Sequence, residues 1–335
     1  MKKIVVSQQK AVLAEAERPT LDNPRRVIVK VHYSSISPGT ELGLIRNPAI
    51  PDGFHLGYSA SGEVVEVGSA VTKVKEGDFV ACYGGPYVYH AEMLSVPEQL
   101  CVRLDGPERL REAAFVGLAS VGIHSVRRMN RQFGETVWVV GLGLLGLMIA
   151  QLCEACNYNV IATDMNPDRC ELARKCGVPQ SYRADDPELN AIMNAVTEGA
   201  GFDAIALCAH SSNPNLIEQC MEKLAFRGTF EVVGNVPVQV SRELFFQKEA
   251  DLVIARAAGP GRYDARYEDE GIDYPRSYVR WTEGRNMQEY VRLIQKGALK
   301  LRSAITHEYA IEDAPAAYEA LEKNPGAALG VLIRY

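Results

Sequence analysis

Residues 137–152 read VWVVGLGLLGLMIAQL, and this segment is the most informative part of the sequence about the fold. An apolar strand pattern runs into Gly141, Gly143 and Gly146, spaced as G-x-G-x-x-G, and an apolar helix pattern follows. In such a turn the first glycine permits the tight bend, the second lets backbone amides approach a phosphate, and the third lets helix and strand pack closely. The helix N-terminus adds partial positive charge. The stretch therefore predicts a dinucleotide-binding site, and a glycine turn that binds nothing is the simpler alternative.

A second apolar segment, NVIATD, ends in Asp164 at the spacing of roughly 20 residues that such a site requires. A carboxylate there accepts hydrogen bonds from a ribose diol and repels a 2′-phosphate, so we predict NAD in preference to NADP. Arg169 nearby would tolerate NADP. The predicted cofactor-binding residues are Gly141, Gly143, Leu144, Leu145, Gly146, Asp164, Arg169, Ala209 and Gly234.

The pattern of the sequence changes at about residue 125. Before that point, strand-like alternation and glycine-rich turns repeat, as in KKIVVS and GDFVACYGG. After it, apolar strands alternate with helices, which predicts a parallel sheet covered by helices on both faces. We therefore expect an α/β protein with a β-rich lobe and a doubly wound lobe. A polar and aromatic segment follows, and the tail predicts a helix and a final strand.

The composition excludes several classes of partner. Lys and Arg number 36 against 42 Asp and Glu, which gives a formal net charge of -6, and no concentrated basic run is present. We therefore expect no nucleic-acid partner. No window reaches the roughly 20 apolar residues of a membrane span, and the first residues lack a signal-peptide pattern. We expect a cytoplasmic protein without a membrane partner, whose eight cysteines are reduced and mostly buried.

Several motifs, taken in order, resemble one family. They are SPGTEL (37–42), GYSASGEVVEVGSAVTKVKEGDFV (57–80), GLASVGIHSVRR (117–128) and GLGLLG (141–146) with the later Asp164. Together they resemble the medium-chain dehydrogenase/reductase superfamily over nearly the whole chain, with its polyol and sugar dehydrogenases as the nearest relatives. The resemblance implies a GroES-like catalytic domain from residues 1–124 and 296–335, a Rossmann NAD-binding domain from residues 125–295, and a homodimer or homotetramer.

The zinc-dependent members of that family hold catalytic zinc with a Cys, a His-Glu pair and a further Glu or Cys. Aligned by motif, these positions are Pro38, Tyr58 with Ser59, and Val116 or Gly117. Apart from Tyr58 in an unusual site, none of these side chains binds zinc. The four close cysteines of the family's structural zinc lobe are also missing, since residues 80–100 contain only Cys82. We therefore predict that the usual zinc sites are absent.

Without zinc, other groups must remove the hydroxyl proton and stabilise the developing oxyanion. The predicted catalytic residues are Thr40, Glu41, Tyr58 and His90. Glu41 or His90 would act as the base, and Thr40 and Tyr58 would act as proton relay or hydrogen-bond donor. Thr40 matches a family position whose hydroxyl often joins the proton relay. The alternatives are a structural Glu41 that orders its loop and a plain hydrogen-bonded His90. A rearranged metal site is the other hypothesis, and its candidate ligands are His55, His90, Glu41 and Glu92.

Residues 259–287, GPGRYDARYEDEGIDYPRSYVRWTEGRNM, stand where the family usually has a short link. Long polar-aromatic segments without hydrophobic periodicity are often functional loops. Aromatic faces stack on the C–H face of a polyhydroxylated ligand, and Arg, Asp and Asn hydrogen-bond its hydroxyls. The predicted substrate-binding residues are Arg262, Tyr263, Asp264, Tyr274, Arg280 and Trp281. An oligomer contact or a lid is the alternative, because interfaces favour the same side chains.

These patterns predict an NAD(H)-dependent oxidoreductase that interconverts a secondary alcohol and a ketone on a sugar, glycoside or cyclitol without catalytic zinc. Three alternatives stay open: a zinc-dependent enzyme with a rearranged metal site, a zinc-free quinone or enone reductase, and a catalytically idle NAD-binding subunit. Asp164 argues against the quinone reductase, which usually prefers NADPH.

Overall fold

The computed structural model describes residues 1–324 and 326–335. Two units can be separated within them. The first comprises Met1–Ser120, Ala258–Gly297 and Ala304–Tyr335, and the second comprises Val121–Ala257 and Ala298–Ser303. The first unit therefore draws on both ends of the chain. Each unit has a hydrophobic core of its own.

Secondary structure is regular in both units. The strands are β1 (Lys2–Ser7), β2 (Lys10–Glu15), β3 (Arg26–Ser35), β4 (Ser59–Val67), β5 (Phe79–Tyr83), β6 (Met93–Pro97), β7 (Cys101–Arg103), β8 (Thr136–Val140), β9 (Asn159–Asp164), β10 (Ser181–Arg183), β11 (Phe202–Leu207), β12 (Leu224–Val232), β13 (Asp251–Ile254), β14 (Ile305–Ala310) and β15 (Gly330–Arg334). The α-helices are α1 (Pro38–Arg46), α2 (Leu110–Ala113), α3 (Val116–Met129), α4 (Leu144–Ala155), α5 (Pro167–Lys175), α6 (Leu189–Val196), α7 (Leu216–Met221), α8 (Arg242–Lys248), α9 (Ala265–Glu268), α10 (Glu283–Gln295) and α11 (Ala314–Lys323). Short 3₁₀ helices cover Glu98–Leu100, Pro107–Arg109, Arg302–Ala304 and Ile311–Asp313.

The first unit is built around a sheet with the order β14-β15-β3-β4-β5-β7, in which β6 also pairs with β3. β1 and β2 form a separate antiparallel hairpin. The central strand β3 carries three consecutive fully buried residues, Val27, Ile28 and Val29. Successive side chains of a strand point to opposite faces, so β3 is covered on both sides.

The second unit contains a parallel sheet with the order β10-β9-β8-β11-β12-β13. In chain order this is 3-2-1-4-5-6, the arrangement of doubly wound dinucleotide-binding sheets. Its switch point lies between β8 and β11, and ligands of such sheets bind beyond the carboxyl ends of the strands at that point. The predicted α/β class, with a β-rich part and a doubly wound part, is confirmed.

Residues 258–297 lie in the first unit, whereas the sequence pattern placed residues up to 295 with the doubly wound domain. The helix α10 gives the physical reason. Its buried residues Met287, Tyr290 and Ile294 recur at helical spacing, and the Tyr290 hydroxyl donates to the Glu112 carbonyl oxygen in the first unit. A fully buried tyrosine with a satisfied hydroxyl fixes α10 to that unit.

The predicted loop over residues 259–287 also contains more regular structure than expected. It includes α9, and its last residues form the first turn of α10 from Glu283 onward. Thr282 caps α10, because its hydroxyl accepts the Arg285 N–H. The prediction overlooked this cap because aromatic and charged residues around Thr282 obscure the helical periodicity.

Two expectations from composition concern the whole chain. Across residues 1–324 and 326–335, no helix combines the length and the apolar character needed to cross a membrane. All eight cysteines are free thiols. Cys153 is buried within α4, whereas Cys156 at the end of that helix is exposed, so the mostly buried pattern has one clear exception.

Candidate active site

The glycine turn between β8 and α4 has the geometry of a dinucleotide site. Gly141 has a φ of 97°, a left-handed conformation that favours glycine, and its N–H donates to the Thr163 carbonyl oxygen at 2.7 Å. A methyl group on Gly146 would lie 1.9 Å from the Gly141 carbonyl oxygen, so only glycine permits this close packing. A methyl group on Gly143 would meet no atom within 4 Å. Protein packing therefore does not require glycine at 143, and the open space suits an approaching ligand.

The helix α4 presents its N-terminus at this turn. It begins with Leu144 and Leu145, no side chain caps it, and its first turn contains no acidic residue. Its free N–H groups and its dipole favour an anion such as a pyrophosphate. Ala209 and Gly234 follow β11 and β12 and pack tightly together, because a methyl group on Gly234 would lie 2.0 Å from the Ala209 carbonyl oxygen.

Asp164 ends β9 beside the glycine turn. Its carboxylate accepts the N–H groups of Leu142 at 2.7 Å and Asn166 at 2.8 Å, and the Arg169 guanidinium lies 3.7 Å away. A carboxylate has about four acceptor sites, so Asp164 retains capacity for a ribose diol. The Arg169 charge would attract a 2′-phosphate. The residues of the second unit thus fit a dinucleotide, and the choice of NAD over NADP stays a prediction.

In the first unit, Glu41 and His90 form a buried pair. His90 Nε2 lies 2.9 Å from Glu41 Oε2, and neither side chain has exposed surface. Glu41 Oε1 accepts the Ser37 N–H at 2.6 Å, which closes the first turn of α1. The Tyr318 hydroxyl donates to Glu41 Oε2. Both oxygens of Glu41 are therefore engaged within the protein.

The pair continues into a chain of hydroxyl groups. Ser34 Oγ lies 2.7 Å from His90 Nδ1 and 2.7 Å from the Tyr335 hydroxyl. Burial raises the pKa of Tyr335 and of Tyr318 far above the usual value, so both hydroxyls keep their protons. His90 makes hydrogen bonds at both ring nitrogens and does not reach solvent. Either predicted base can therefore act on a substrate only through an intervening hydroxyl group.

Thr40 and Tyr58 are the residues from which we predict that hydroxyl group to come. Thr40 is exposed on α1, directly before Glu41. The Tyr58 hydroxyl interacts with the side chains of Ser37 and Thr40. Burial above all, and the Glu41 carboxylate in addition, raise the pKa of Tyr58 to about 12. Tyr58 is therefore protonated at neutral pH and is available as a hydrogen-bond donor.

Packing fills the positions that match the family's zinc ligands. Ser59 Oγ accepts the Gly117 N–H at 2.8 Å. A methyl group on Gly117 would lie 2.8 Å from the Tyr83 ring, 2.9 Å from the Tyr58 ring and 3.0 Å from Ser59, so a longer ligand has no room there. Pro38 opens α1 and offers no ligand atom in its side chain. These residues do not fit a zinc ion at the family's usual position.

The alternative metal ligands have other partners. His55 Nε2 lies 3.1 Å from Lys3 Nζ, and Glu92 accepts the Lys2 N–H at 2.7 Å. The remaining two candidates bond to each other, as described above. Among residues 1–324 and 326–335, no three His, Cys, Asp or Glu side chains are grouped to hold a metal ion. The rearranged metal site gains no support from this part of the chain, and the absence of zinc stays a prediction.

The polar-aromatic segment brings Arg262 and Tyr263 to the same region of the first unit. The Arg262 guanidinium lies 5.5 Å from the centroid of the Tyr83 ring and 4.1 Å from that of Tyr263. The Tyr83 ring meets the Tyr58 ring edge-on, with 5.9 Å between centroids. The pKa of Tyr58, raised mainly by burial, is raised a little further by Tyr263. Two predicted substrate-binding residues therefore lie near the predicted catalytic tyrosine.

The other predicted substrate-binding residues contact one another. Asp264 caps the short helix α9 and accepts a hydrogen bond from the Tyr274 hydroxyl, which raises the pKa of Tyr274 to about 12. The Arg280 guanidinium lies 4.9 Å from the centroid of the Trp281 ring. These contacts give the segment its shape. A role for these four residues in binding substrate stays a prediction, as does the alternative of an oligomer contact.

Sequence reasoning missed three residues of this region, namely Tyr83, Glu268 and Glu283. Arg262 Nη1 lies 2.5 Å from Glu268 Oε1, and Glu283 is completely buried within the electrostatic reach of both. Tyr83 ends a strand with an ordinary pattern, and the two glutamates lie among many charged residues. No signal in a single sequence separates such carboxyl groups from solvated ones.

Comparison with known proteins covers both units. Residues 23–122 match the family described as "Alcohol dehydrogenase GroES-like domain", and residues 145–265 match the family described as "Zinc-binding dehydrogenase". A probable D-xylulose reductase A of Aspergillus niger is 26% identical over 92% of this chain and 89% of its own length. The sorbitol dehydrogenase of Bacillus subtilis is 28% identical over 63% of this chain and 69% of its own length. The structure of galactitol-1-phosphate dehydrogenase from Escherichia coli has a TM-score of 0.80, covers 100% of both chains and is 20% identical.

The GroES-like match covers strands of the first unit's sheet, and the dehydrogenase match covers strands of the second unit's parallel sheet. The chain belongs to the medium-chain dehydrogenase/reductase superfamily. This confirms the resemblance and the α/β class with GroES-like and Rossmann domains. As a member of the superfamily the chain is an oxidoreductase that acts on CH–OH groups, and membership implies a nicotinamide cofactor. One family description names zinc, whereas positions 38, 58 and 59 of this chain hold Pro, Tyr and Ser, and the absence of zinc from this chain stays a prediction.

Proposed function

We propose that this medium-chain oxidoreductase uses NAD(H) to interconvert a secondary hydroxyl and a ketone on a sugar, glycoside or cyclitol, without catalytic zinc. One observation carries the proposal. The Tyr58 hydroxyl interacts with Thr40 and Ser37 within the electrostatic reach of Glu41, which pairs with the buried His90, and Tyr58 matches a zinc-ligand position of the family. The relatives named for D-xylulose and sorbitol support the substrate class.

In the oxidation direction the hydroxyl proton leaves through Thr40, Tyr58 and Ser37, whose side chains interact at the Tyr58 hydroxyl. With a pKa of about 12, Tyr58 gives up one proton as it takes another and carries no net charge. The Ser37 backbone N–H contacts Glu41 Oε1, which brings the Ser37 residue next to the Glu41 carboxylate, the group that we propose as the acceptor of the proton. A nicotinamide cofactor, which the glycine turn and Asp164 would hold, would supply the hydride acceptor for this direction.

The Glu41–His90 pair is suited to hold the released proton. When His90 is charged, both ring nitrogens donate, Nε2 to Glu41 and Nδ1 to Ser34. The Tyr335 hydroxyl lies 2.7 Å from Ser34 Oγ and lengthens the hydrogen-bonded chain. In the reduction direction Tyr58 donates to the ketone oxygen as negative charge develops there, which is the task that zinc performs in other members.

The substrate lies against Arg262 and Tyr263. The exposed Tyr263 ring offers a stacking face and a hydroxyl group to a polyhydroxylated ligand, and the largely buried Arg262 guanidinium supports that ring. Asp164 supports NAD as the cofactor, since its carboxylate suits a ribose diol and repels a 2′-phosphate.

The test is turnover of a substrate panel. Purified protein is incubated with NAD and, separately, with free sugars, alditols, methyl glycosides, sugar acids and inositols, and NADH formation is recorded. We expect turnover of one polyhydroxylated class, and loss of that turnover in Tyr58→Phe. Protein that binds NADH yet turns over no member of the panel, with NAD or with NADP, would favour the idle-subunit alternative and contradict the proposal.

A further inference from the structure

A buried charge cluster fixes Arg262. Its Nη1 lies 2.5 Å from Glu268 Oε1, and its Nη2 lies 2.5 Å from the Gly85 carbonyl oxygen. The Arg262 and Glu268 side chains are only 7% and 5% exposed. A pair withdrawn from water in this way is little screened by salt, and removing one partner is costly. The guanidinium is therefore held at two nitrogens.

Glu268 also holds Tyr263. Its Oε1 accepts the Tyr263 N–H at 2.9 Å. Tyr263 has a φ of 68°, a left-handed conformation that a bulky residue adopts only where its surroundings impose it. Its ring packs against Arg262 and remains 60% exposed. One carboxylate oxygen thus fixes the backbone of Tyr263 and, through Arg262, the position of its ring.

Glu283 is a second carboxyl group at this cluster. It is completely buried, and the Glu268 carboxyl group lies within hydrogen-bond reach of it. Burial first, and the neighbouring Glu268 carboxylate second, raise the pKa of Glu283 to about 9, although Arg262 opposes the shift. Glu283 is therefore neutral at pH 7 and can donate its proton to Glu268. The titratable groups that face it are Arg262, Glu268, Tyr83, Tyr267 and Tyr274.

We propose that Glu268 and Glu283 are positioning residues for substrate, which together hold Arg262 and Tyr263 beside Tyr58 and so determine substrate affinity rather than the rate of hydride transfer. Glu268 supplies the anchoring charge. When Glu283 is neutral, the Arg262 guanidinium pairs with the Glu268 carboxylate alone. When Glu283 is ionised, it repels Glu268 and also attracts Arg262, which weakens the Arg262–Glu268 pair. The inference rests on the proposed function, because it concerns the same substrate.

The first test compares Glu268→Gln with Glu270→Gln. Glu270 is an exposed carboxylate two residues away, and it serves as the matched control. With a polyol that the wild type turns over, we expect KM to rise about tenfold or more in Glu268→Gln, since a buried charge-assisted bond is lost. We expect kcat to change by less than about threefold, as for an interaction made equally in ground and transition states. Glu270→Gln should match the wild type in both constants.

The second test uses Glu283→Gln, which keeps a neutral hydrogen-bonding side chain at every pH. In the wild type KM should rise as the pH passes through about 9, whereas in Glu283→Gln it should stay flat. Trp281 lies two residues before Glu283 and supplies a readout without turnover. We expect its fluorescence to titrate near pH 9 in the wild type and to lose that transition in Glu283→Gln.

The outcomes separate this inference from the proposed function. No turnover of any polyol, with the fluorescence transition intact, contradicts the proposed function alone. Turnover with equal KM values for Glu268→Gln and Glu270→Gln overturns the inference, as does a fall in kcat at unchanged KM. If Glu268→Gln does not fold, the pH profile of Glu283→Gln decides, and a KM rise identical to that of the wild type overturns the inference.

Discussion

Glu41 and His90 share a hydrogen bond of 2.9 Å at a place where neither side chain has exposed surface. An ionisable pair that is withdrawn from water must be balanced by groups of the protein. The Ser37 N–H and the Tyr318 hydroxyl satisfy Glu41, and Ser34 Oγ satisfies the far nitrogen of His90. The pair therefore serves structure as well as the proposed proton transfer, and the two roles can be measured separately.

Replacing His90 by Ala should destabilise the protein by about 3–5 kcal/mol, because it leaves the Glu41 carboxylate buried without its main partner. The control is Glu66→Gln, which breaks an ion pair with Arg18 at the surface and should change stability little. Urea unfolding at pH 7 measures both variants. Similar small losses in the two would show that the buried pair is not important for stability.

Replacing Tyr58 by Phe should lower kcat by about 10²- to 10⁴-fold, the usual contribution of a positioned proton-transfer group. The affinity for NADH, measured by fluorescence titration, should not change. Tyr89→Phe is the control, since its ring stacks on His55 and has no part in the proposed chemistry. An active Tyr58→Phe enzyme would exclude Tyr58 from the proton path.

Two glycine variants should fail in different ways. Gly143→Ala places a methyl group in open space, so the protein should fold with an unchanged melting temperature but bind NADH at least about tenfold more weakly, because the methyl occupies ligand space. Gly146→Ala places a methyl group 1.9 Å from the Gly141 carbonyl oxygen and should lower the melting temperature. Thermal melts with and without NADH distinguish the two. Normal NADH binding by Gly143→Ala would contradict the assignment of the turn.

Glu231 should make stability depend on pH. This residue of β12 is completely buried, and burial raises its pKa to about 8, with Ser125 and Arg128 opposing the shift only in part. The native state therefore holds a proton that the unfolded chain releases near its ordinary pKa. The contribution to stability is complete below about pH 4.5 and is lost as the pH rises to about 8. Glu231→Gln should remove this pH-dependent loss of stability. The free energy of unfolding of the variant, relative to that of the wild type, should therefore be several kcal/mol more favourable to folding at pH 9 than at pH 5. Parallel pH profiles of unfolding for the two proteins would refute this assignment.

Much of the fold follows from local patterns. The glycines of residues 141–146 and the acidic end of β9 predict the doubly wound sheet, because the tight turn and the close helix contact allow few other residues. The unit to which residues 258–297 belong was not predictable in this way. That assignment depends on Tyr290 reaching the Glu112 carbonyl oxygen, a contact between residues far apart in the chain.

The candidate site was predictable only in part. Thr40 and Tyr58 stand in motifs, and Arg262 and Tyr263 stand in an unusual segment, so each could be selected from sequence. The burial of Glu41 and His90 could not be foreseen, because it results from α1, α11 and the C-terminal strand closing around them. Glu283 gives no sequence signal, since its raised pKa is caused by burial and by one neighbouring carboxylate.

In the proposed mechanism, hydroxyl groups and a buried acid–histidine pair take the place of zinc. The most direct measurement is kcat of the protein after exhaustive chelation, with its metal content determined by mass spectrometry and with NAD and the best polyol as substrates. For this zinc-free mechanism we expect metal-free protein to turn over at the rate of untreated protein, and we expect added Zn²⁺ not to increase this rate. Loss of turnover on chelation, with recovery when Zn²⁺ is returned, would contradict it.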